Sequence, residues 1–484
     1  MPVVAALTSS APLVWVLLPL AFAGLLYALR GWPRLTSLLG VAFALALTLL
    51  AWRMPVGETV RLASWSFKLE PALVFFGRRL ELTNLDRPLL LMIYLGAAFW
   101  FGGVNTARAG RLALPLGLAA VALLTAALAV EPFLYAALLI NAAALVCVPI
   151  LAPPGQPAPR GVLYFLIFQT FGMPFILFTG HLLAGIEANP GDQTLMLRVG
   201  LLMGASFSFL LAIFPFHSWL PMLAGETHPY KAALVFTILP EMVMLFGLNF
   251  FDRYAWLRQT PRVFEVLMAA GALMALVGGV WIAFQRHLGR MMGYAVMAET
   301  GFSLLALSLL QTDANGLRLH FALLPPRALA FGVWALALSV LRADNQSLHF
   351  EAVGGAARRM PVATLALTLS VFSLAGLPLL GGFPVHLALQ QGMTQASAAH
   401  LPWGDYGQAA VLAARLGLLA AGLRSLAALL AGGQGENWRS EERPLQIVLL
   451  VSGVVGLLAL GLLPQQLLGQ FLAALPRAFG HLTP

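Results

Sequence analysis

Apolar runs of about twenty residues follow one another along almost the whole chain, and no other feature restricts its folding as much. In hydrocarbon a backbone N–H or C=O has no water to turn to, so each run must close its hydrogen bonds internally as a helix. At ~1.5 Å per residue such a helix crosses a ~30 Å core. The runs fall at Pro12–Leu29, Leu35–Trp52, Asp86–Val104, Gly110–Ala129, Pro132–Leu151, Gly161–Leu183, Leu195–Ile213, Tyr230–Phe250, Val263–Phe284, Met291–Leu310, Leu319–Leu341, Val362–Leu387, Ala409–Leu430 and Leu445–Leu463. They predict an all-α polytopic membrane protein with about fourteen transmembrane helices. The first run has no basic region before it and no small-residue cleavage site after it, and reads as a retained helix. Residues Arg53–Asp86 alternate around Trp65, Phe67 and Leu69 and turn at Gly77-Arg78-Arg79, which predicts a small hairpin outside the bilayer. The linker 152–157 reads as a surface loop, and Pro464–Pro484 as a short interfacial helix.

Of the 484 residues 60% are hydrophobic and 10% charged, too few charges for a soluble domain of this length. The formal net charge of +9 invites a nucleic-acid reading, but the basic residues stand singly or in pairs in short connections. That is how topology-setting charges are placed, so the bilayer is the expected partner and nucleic acid is not. With Arg53–Asp86 left aside, the basic excess lies on the face of the first connection, Arg30 and Arg34, which puts both termini on the outer side of a bacterial inner membrane. Counting that excursion and Arg87 nearly cancels the excess. Cys147, the only cysteine, sits in an apolar run, which excludes intrachain disulfides and thiolate metal sites. There is no Cys-x-x-Cys, no glycine-rich phosphate loop and no His-Glu-x-x-His, so redox or hydrolytic chemistry and cofactors are expected in other chains.

Two runs are interrupted by proline. In Gly204–Gly247 the break is Phe214-Pro215-Phe216-His217, with Glu226, His228, Lys231 and Glu241 following. Proline removes a donor and clashes with the preceding turn, and at membrane depth unwound backbone is tolerated where protein buries it or where it lines a hydrated cavity. Glu226 and His228 fit a loop, Lys231 a snorkelling charge at a helix start, and His217 a side chain satisfying the backbone bared at Pro215. The second break runs from Ser373 through Pro378, Gly382 and Pro384 to His386. Paired interruptions in two halves are the signature of inverted repeats around a midplane site. The chain accordingly divides into 1–109, three helices with the hairpin; 110–251 and 263–432, two five-helix repeats; and 433–484, a last helix and tail.

Four motifs in order carry a family resemblance. They are Phe214-Pro-Phe-His-Ser-Trp-Leu-Pro221; Gln285-Arg-His-Leu-Gly-Arg290 running on to Ala298-Glu299-Thr-Gly301; Gly354-Gly-Ala-Ala-Arg358-Arg-Met-Pro361; and Ser373–Phe383. The stretch from about Leu112 to Leu430 resembles the antiporter-like membrane subunits of respiratory complex I, Mrp cation/proton antiporters, group 4 hydrogenases and the energised inorganic-carbon pump. The resemblance implies a subunit of a proton- or cation-translocating complex such as NADH:quinone oxidoreductase, with other membrane subunits and cofactor-bearing chains as partners. It also implies a path of buried ionisable residues, and here the sequence departs from the family. The family's Glu of the fifth helix falls at Asn141, and its Lys of the seventh at Leu210. The Lys or His of the eighth falls near Met242, beside Glu241, and a position of the tenth that is often His is Glu299. The His and Lys of the eleventh fall near Pro326 and Ala330, beside Arg327, and the terminal Lys or Glu of the twelfth at His386.

An ionisable side chain at the centre of a bilayer costs at least ~2.5 kcal/mol, so those that occur mark ion paths by default. Glu241, Glu299, Arg327, His386, His217 and Lys231 are therefore the candidate translocation residues. The competing expectation is a buried pair without transport, Glu241 or Glu299 meeting Arg327. Arg415 and Arg424 suit contact with a neighbouring subunit or a lipid phosphate equally well. Two functions follow: an altered relay through Glu241, Glu299 and His386, or a scaffold that fills a slot in the membrane arm and conducts nothing.

Overall fold

Prolines start the helices of this chain as often as they break them. The structure is a computed structural model describing residues 6–482 apart from 63–64, 153–154, 156, 189–190, 312–314, 346 and 433–437, so the linker at 152–157 lies partly outside the described residues. Its first half runs β1 Ala6–Ser10, α1 Leu18–Ala28, α2 Pro33–Arg53, β2 Thr59–Leu62, β3 Trp65–Glu70, β4 Ala72–Phe75, β5 Arg78–Glu81, α3 Arg87–Gly103, α4 Ala113–Ala129, β6 Val130–Glu131, α5 Ala136–Leu151, α6 Arg160–Ala188, α7 Gln193–Leu210, α8 Trp219–Glu226 and α9 Pro229–Arg253. Then follow α10 Ala255–Gln259, α11 Pro261–Phe284, α12 Leu288–Ser308, α13 Asn315–Asp344, α14 Ala356–Arg359, α15 Pro361–Leu374, α16 Gly382–Ala398, α17 Gly404–Leu430, α18 Pro444–Leu462 and α19 Pro464–Ala474. In α2, α3, α9, α11, α15, α18 and α19 a proline occupies the first turn, where its missing N–H has no intrahelical partner to lose.

Among the described residues eleven helices are long and apolar enough to cross a membrane, and three shorter apolar ones lie at Leu13–Ala28, Ala113–Ala129 and Pro361–Leu374. The protein is thus an all-α integral membrane protein. Its centre is α12: 89% of its apolar window is buried, against 22% for α18 on the periphery. It packs on α11, α8, α13 and α17, and α9 and α13 are the next most enclosed.

The extramembrane region is larger than the hairpin that alternation predicts. The turn at Gly77 does join β4 and β5, with Phe75 opposite Arg78. Around it stand two three-stranded sheets, β1-β3-β2 and β4-β5-β6. The strand β1, ahead of the first helix, pairs parallel to β3 from Ala6–Ser66 to Ser10–Glu70, with the α1–α2 hairpin as the crossover that parallel pairing requires. Such long-range partners leave no local trace in the sequence. The tail forms α19 as expected, then turns back: Phe479 stacks on Phe321, centroids 6.2 Å apart, and the His481 N–H donates to Asp252 Oδ1 at 2.8 Å.

Both interrupted runs are unwound. In the first, α7 ends at Leu210, Ala212 takes a φ of 56°, and a 3-10 turn at Phe216–Ser218 leads into α8. Gln169 Nε2 donates to the freed Leu210 carbonyl at 3.1 Å. In the second, α15 ends at Leu374 and α16 resumes at Gly382, where a Cβ would lie 1.9 Å from the Ser373 carbonyl oxygen, so only glycine fits. Here Arg415 donates to the Ala375 and Gly376 carbonyls, both at 3.1 Å. Arg424 likewise donates to the Ala283 carbonyl near the end of α11. Within the chain each of these two arginines satisfies backbone carbonyls that a helix end leaves bare.

The N-terminus of α12 is capped by His287, whose Nδ1 accepts from the Gly289 and Arg290 amides at 3.1 and 3.2 Å. Accepting there requires an unprotonated Nδ1. Burial pushes His287 down from 6.5 to about 4, and the neighbouring His349 and Arg290 push the same way. The unfolded chain takes up this proton first as pH falls, so the stabilisation is full above about pH 6.5 and drains away between there and about pH 4. Thermal unfolding in detergent is expected to weaken over that window. His287→Asn, which keeps the acceptor without titrating, should reduce the slope, and His287→Ala should cost about 1 kcal/mol at neutral pH. An identical slope in all three proteins would refute this role.

Candidate functional site

Proline positions the charges. Pro240 in α9 cannot donate to the Phe236 carbonyl, and Pro325 and Pro326 in α13 open that helix in the same way. Glu241 and Arg327 follow these prolines directly, and the two side chains meet: Arg327 Nη2 lies 2.9 Å from Glu241 Oε2. The other carboxylate oxygen lies 3.2 Å from Nε2 of His320, a fully buried residue of α13 seven positions, or two turns, before Arg327. The remaining arm of Arg327 reaches α12, donating from Nη1 to the Glu299 carbonyl at 3.1 Å and to Ser303 Oγ at 2.9 Å.

Glu299 itself is 1% exposed, and neither carboxyl oxygen makes a hydrogen bond within the described protein. Its nearest ionisable neighbour is His386 of α16, Nε2 to Oε1 3.6 Å, with the imidazole set edge-on against Phe302 at 5.1 Å. On its far side His386 faces the second break: a Cβ at Gly376 would lie 2.9 Å from His386 Nδ1 and 3.1 Å from Arg415 Nε. Five side chains from four helices thus form one line, His320, Glu241, Arg327, Glu299 and His386, ending at Arg415. A cavity of about 20 Å³ lies between Glu241 and Glu299, and one of about 10 Å³ between Glu299 and His386. Each is close to the volume that one water requires.

Four of the sequence-derived candidates, Glu241, Glu299, Arg327 and His386, are brought together; two are not. Lys231 sits in the first turn of α9, ten residues or about 15 Å along the helix from Glu241. It lies beside Arg342 and Gly110 at the membrane edge. His217 stacks on Phe214 in the first break, centroids 5.3 Å apart, and touches none of the line. The pairing of Glu241 with Arg327 fulfils the expectation of a buried pair, whereas Glu299 meets Arg327 through its backbone carbonyl and leaves its carboxyl to His386. His320 is the member that sequence reasoning missed.

Among the described residues the first half holds no comparable line of ionisable side chains. Asn141 accepts from Thr170 Oγ1 at 3.4 Å and its amide lies 3.7 Å from Met173 Sδ. Leu210 packs its side chain against Gly172. At the level of the first break the described polar contacts are thus among neutral side chains and backbone.

Residues 162–402 match the family model described as NADH:quinone oxidoreductase/Mrp antiporter, transmembrane region. Subunit N of NADH-quinone oxidoreductase from Rhodopseudomonas palustris is 30% identical over 202 residues, 41% of each chain. A second subunit N, from Syntrophobacter fumaroxidans, is 30% identical over 251 residues, 47% of this chain and 50% of that one. The chain thus spans half or less of the length of these two curated relatives. The fold extends further. A chain of the Mrp complex from Dietzia superposes over 97% of both chains with a TM-score of 0.76 at 16% identity. One from Thermus thermophilus respiratory complex I covers 98% of this chain and 100% of that one, with a TM-score of 0.72 at 22% identity. The matched core, the fold and the four sequence motifs agree: this chain is a member of the antiporter-like membrane subunit family.

Proposed function

We propose that the chain is one membrane subunit of an energy-coupled, redox-driven complex of the NADH:quinone oxidoreductase kind, and that its second half moves protons along the line from His320 to His386. The observation that carries the reading is that line: Glu241, Glu299 and His386 in succession, the last two 3.6 Å apart, with a water-sized cavity on either side of Glu299 and the most buried helices around them. Protonating the Glu241 carboxylate removes the charge that holds Arg327, and opposite charges ~4 Å apart at an effective dielectric of ~20 are worth on the order of 4 kcal/mol. The freed guanidinium then turns toward Ser303 and Glu299, whose own proton affinity changes in response. Glu299 exchanges with His386 across 3.6 Å, and His386 delivers to the break that Arg415 holds open. Membrane partners hold the subunit in place and the cofactor-bearing chains supply the energy.

The first half is proposed as scaffold. Asn141 and Leu210 stand at the family's Glu and Lys positions and carry no charge, so no relay starts there. The proposed topology is fourteen spans in two inverted five-helix repeats, 110–251 and 263–432, in a bacterial inner membrane with both termini outside.

Glu299→Gln keeps the shape and removes the proton. It is expected to lower proton translocation by vesicles containing the assembled complex, while redox turnover and the subunit's presence persist; unchanged pumping in a fully assembled variant would leave only the scaffold role. Removing one partner of the buried pair should be worse for folding than removing both charges. Arg327→Ala is expected to cost roughly 3–5 kcal/mol, and adding Glu241→Gln should restore much of it. Additive losses in a double-mutant cycle of unfolding free energies would contradict the pairing.

A further inference from the structure

A cavity far larger than the two in the line of charges lies beside that line. A cleft of about 1040 Å³ runs between α3, α9, α13 and α19. Its lining runs from Trp52 and Arg87, at the ends of α2 and α3 that lead to the two small sheets, to Glu241 and Arg327, and the sheet end is taken as its mouth. Leu91, Leu329 and Phe471 are typical of its walls, which are apolar along most of their length. At the inner end it reaches the Glu241–Arg327 pair.

Two features of the mouth ask for a polar head. Arg87 is half-buried and donates to the Ala51 and Trp52 carbonyls and to Asn84 Oδ1, at 2.9, 2.6 and 3.0 Å. Glu58 lies near enough to act on its charge, but no carboxylate among the described residues comes within ion-pair distance of it. Over the cleft lies α19, which presents the amides of Gln465, Gln466 and Gln470 to it and has no fully buried residue of its own. A helix of this kind lies in the interface with its apolar side down, and the apolar surface beneath it belongs to the cleft. From these facts we infer that the cleft is a binding site for one anionic phospholipid, its phosphate at Arg87 and the α19 glutamines and its acyl chains along α3 and α13 toward Glu241.

Charge favours this occupant over a neutral one. A cation at the membrane surface is worth ~1 kcal/mol to an anionic head, about a fivefold preference. The inference needs only a membrane-embedded chain and is independent of whether that chain translocates protons.

The full chain, with whatever subunits co-purify, is stripped of lipid in mild detergent. It is then offered dioleoylphosphatidylglycerol or dioleoylphosphatidylcholine, and retained lipid is counted by native mass spectrometry. One phosphatidylglycerol should be held about fivefold more strongly than phosphatidylcholine. Gln470→Glu, which adds a repelling charge at an exposed position, should abolish that preference with the melting temperature unchanged, and Leu91→Trp should reduce retention of both lipids by filling the cleft. Equal retention of the two lipids by wild type and both variants would mean annular lipid only and overturn the site. Cross-linking of a Gln466→Cys variant to a co-purifying subunit would overturn it in favour of a polypeptide occupant.

Discussion

Hydrocarbon offers nothing to a charge or an open carbonyl, and the guanidinium of Arg327 is this protein's answer to that constraint. It binds the Glu241 carboxylate, the Glu299 carbonyl and the Ser303 hydroxyl at once, joining α9, α12 and α13 at the most enclosed place in the fold. Arginine suits the task because its donors point in several fixed directions and its charge does not leave. A lysine would offer one compact charge and could not hold three acceptors in this fan.

The two broken helices meet the same constraint with different chemistry. At the first break a neutral amide, Gln169, satisfies the Leu210 carbonyl. At the second the charged Arg415 satisfies two carbonyls and stands beside His386 across Gly376. Both unwindings are therefore supported, so neither is a packing fault, but only the second brings charge to the break. The contrast extends down each half: Asn141 and Leu210 on one side, Glu299 and His386 on the other. A neutral half costs less to bury, and it also has nothing to exchange.

Much of this was legible in the sequence because membranes simplify the code. Helices appear as apolar runs, breaks as Pro215 and Pro378, and enclosed ionisable residues as exceptions to the runs, which is how Glu241, Glu299, Arg327 and His386 stand out. What sequence does not carry is rotation and partnership. His320 is only the second residue of the apolar run read from Leu319, yet α13 starts at Asn315 and buries it completely. The available signal was its spacing of two turns from Arg327, which places both on one face. Arg415 and Arg424 read as outward charges for the same reason: which carbonyl lacks a partner is decided by a neighbouring helix. The pairing of β1 with β3, sixty residues apart, is long-range in the same sense.

The position of the large cleft ties the pair of charges to the bilayer around it. Glu241 and Arg327 keep 15% and 13% of their side chains exposed, and that exposure faces the cleft. Were water to fill it, the attraction between them would fall several-fold, because the effective dielectric would move from ~20 toward ~80. Protonation of Glu241 would then scarcely be felt at Arg327, and the signal to Glu299 would fade. An acyl chain in the same space keeps the dielectric low and the coupling strong. The apolar walls of the cleft thus set the dielectric in which the two charges at its end attract each other.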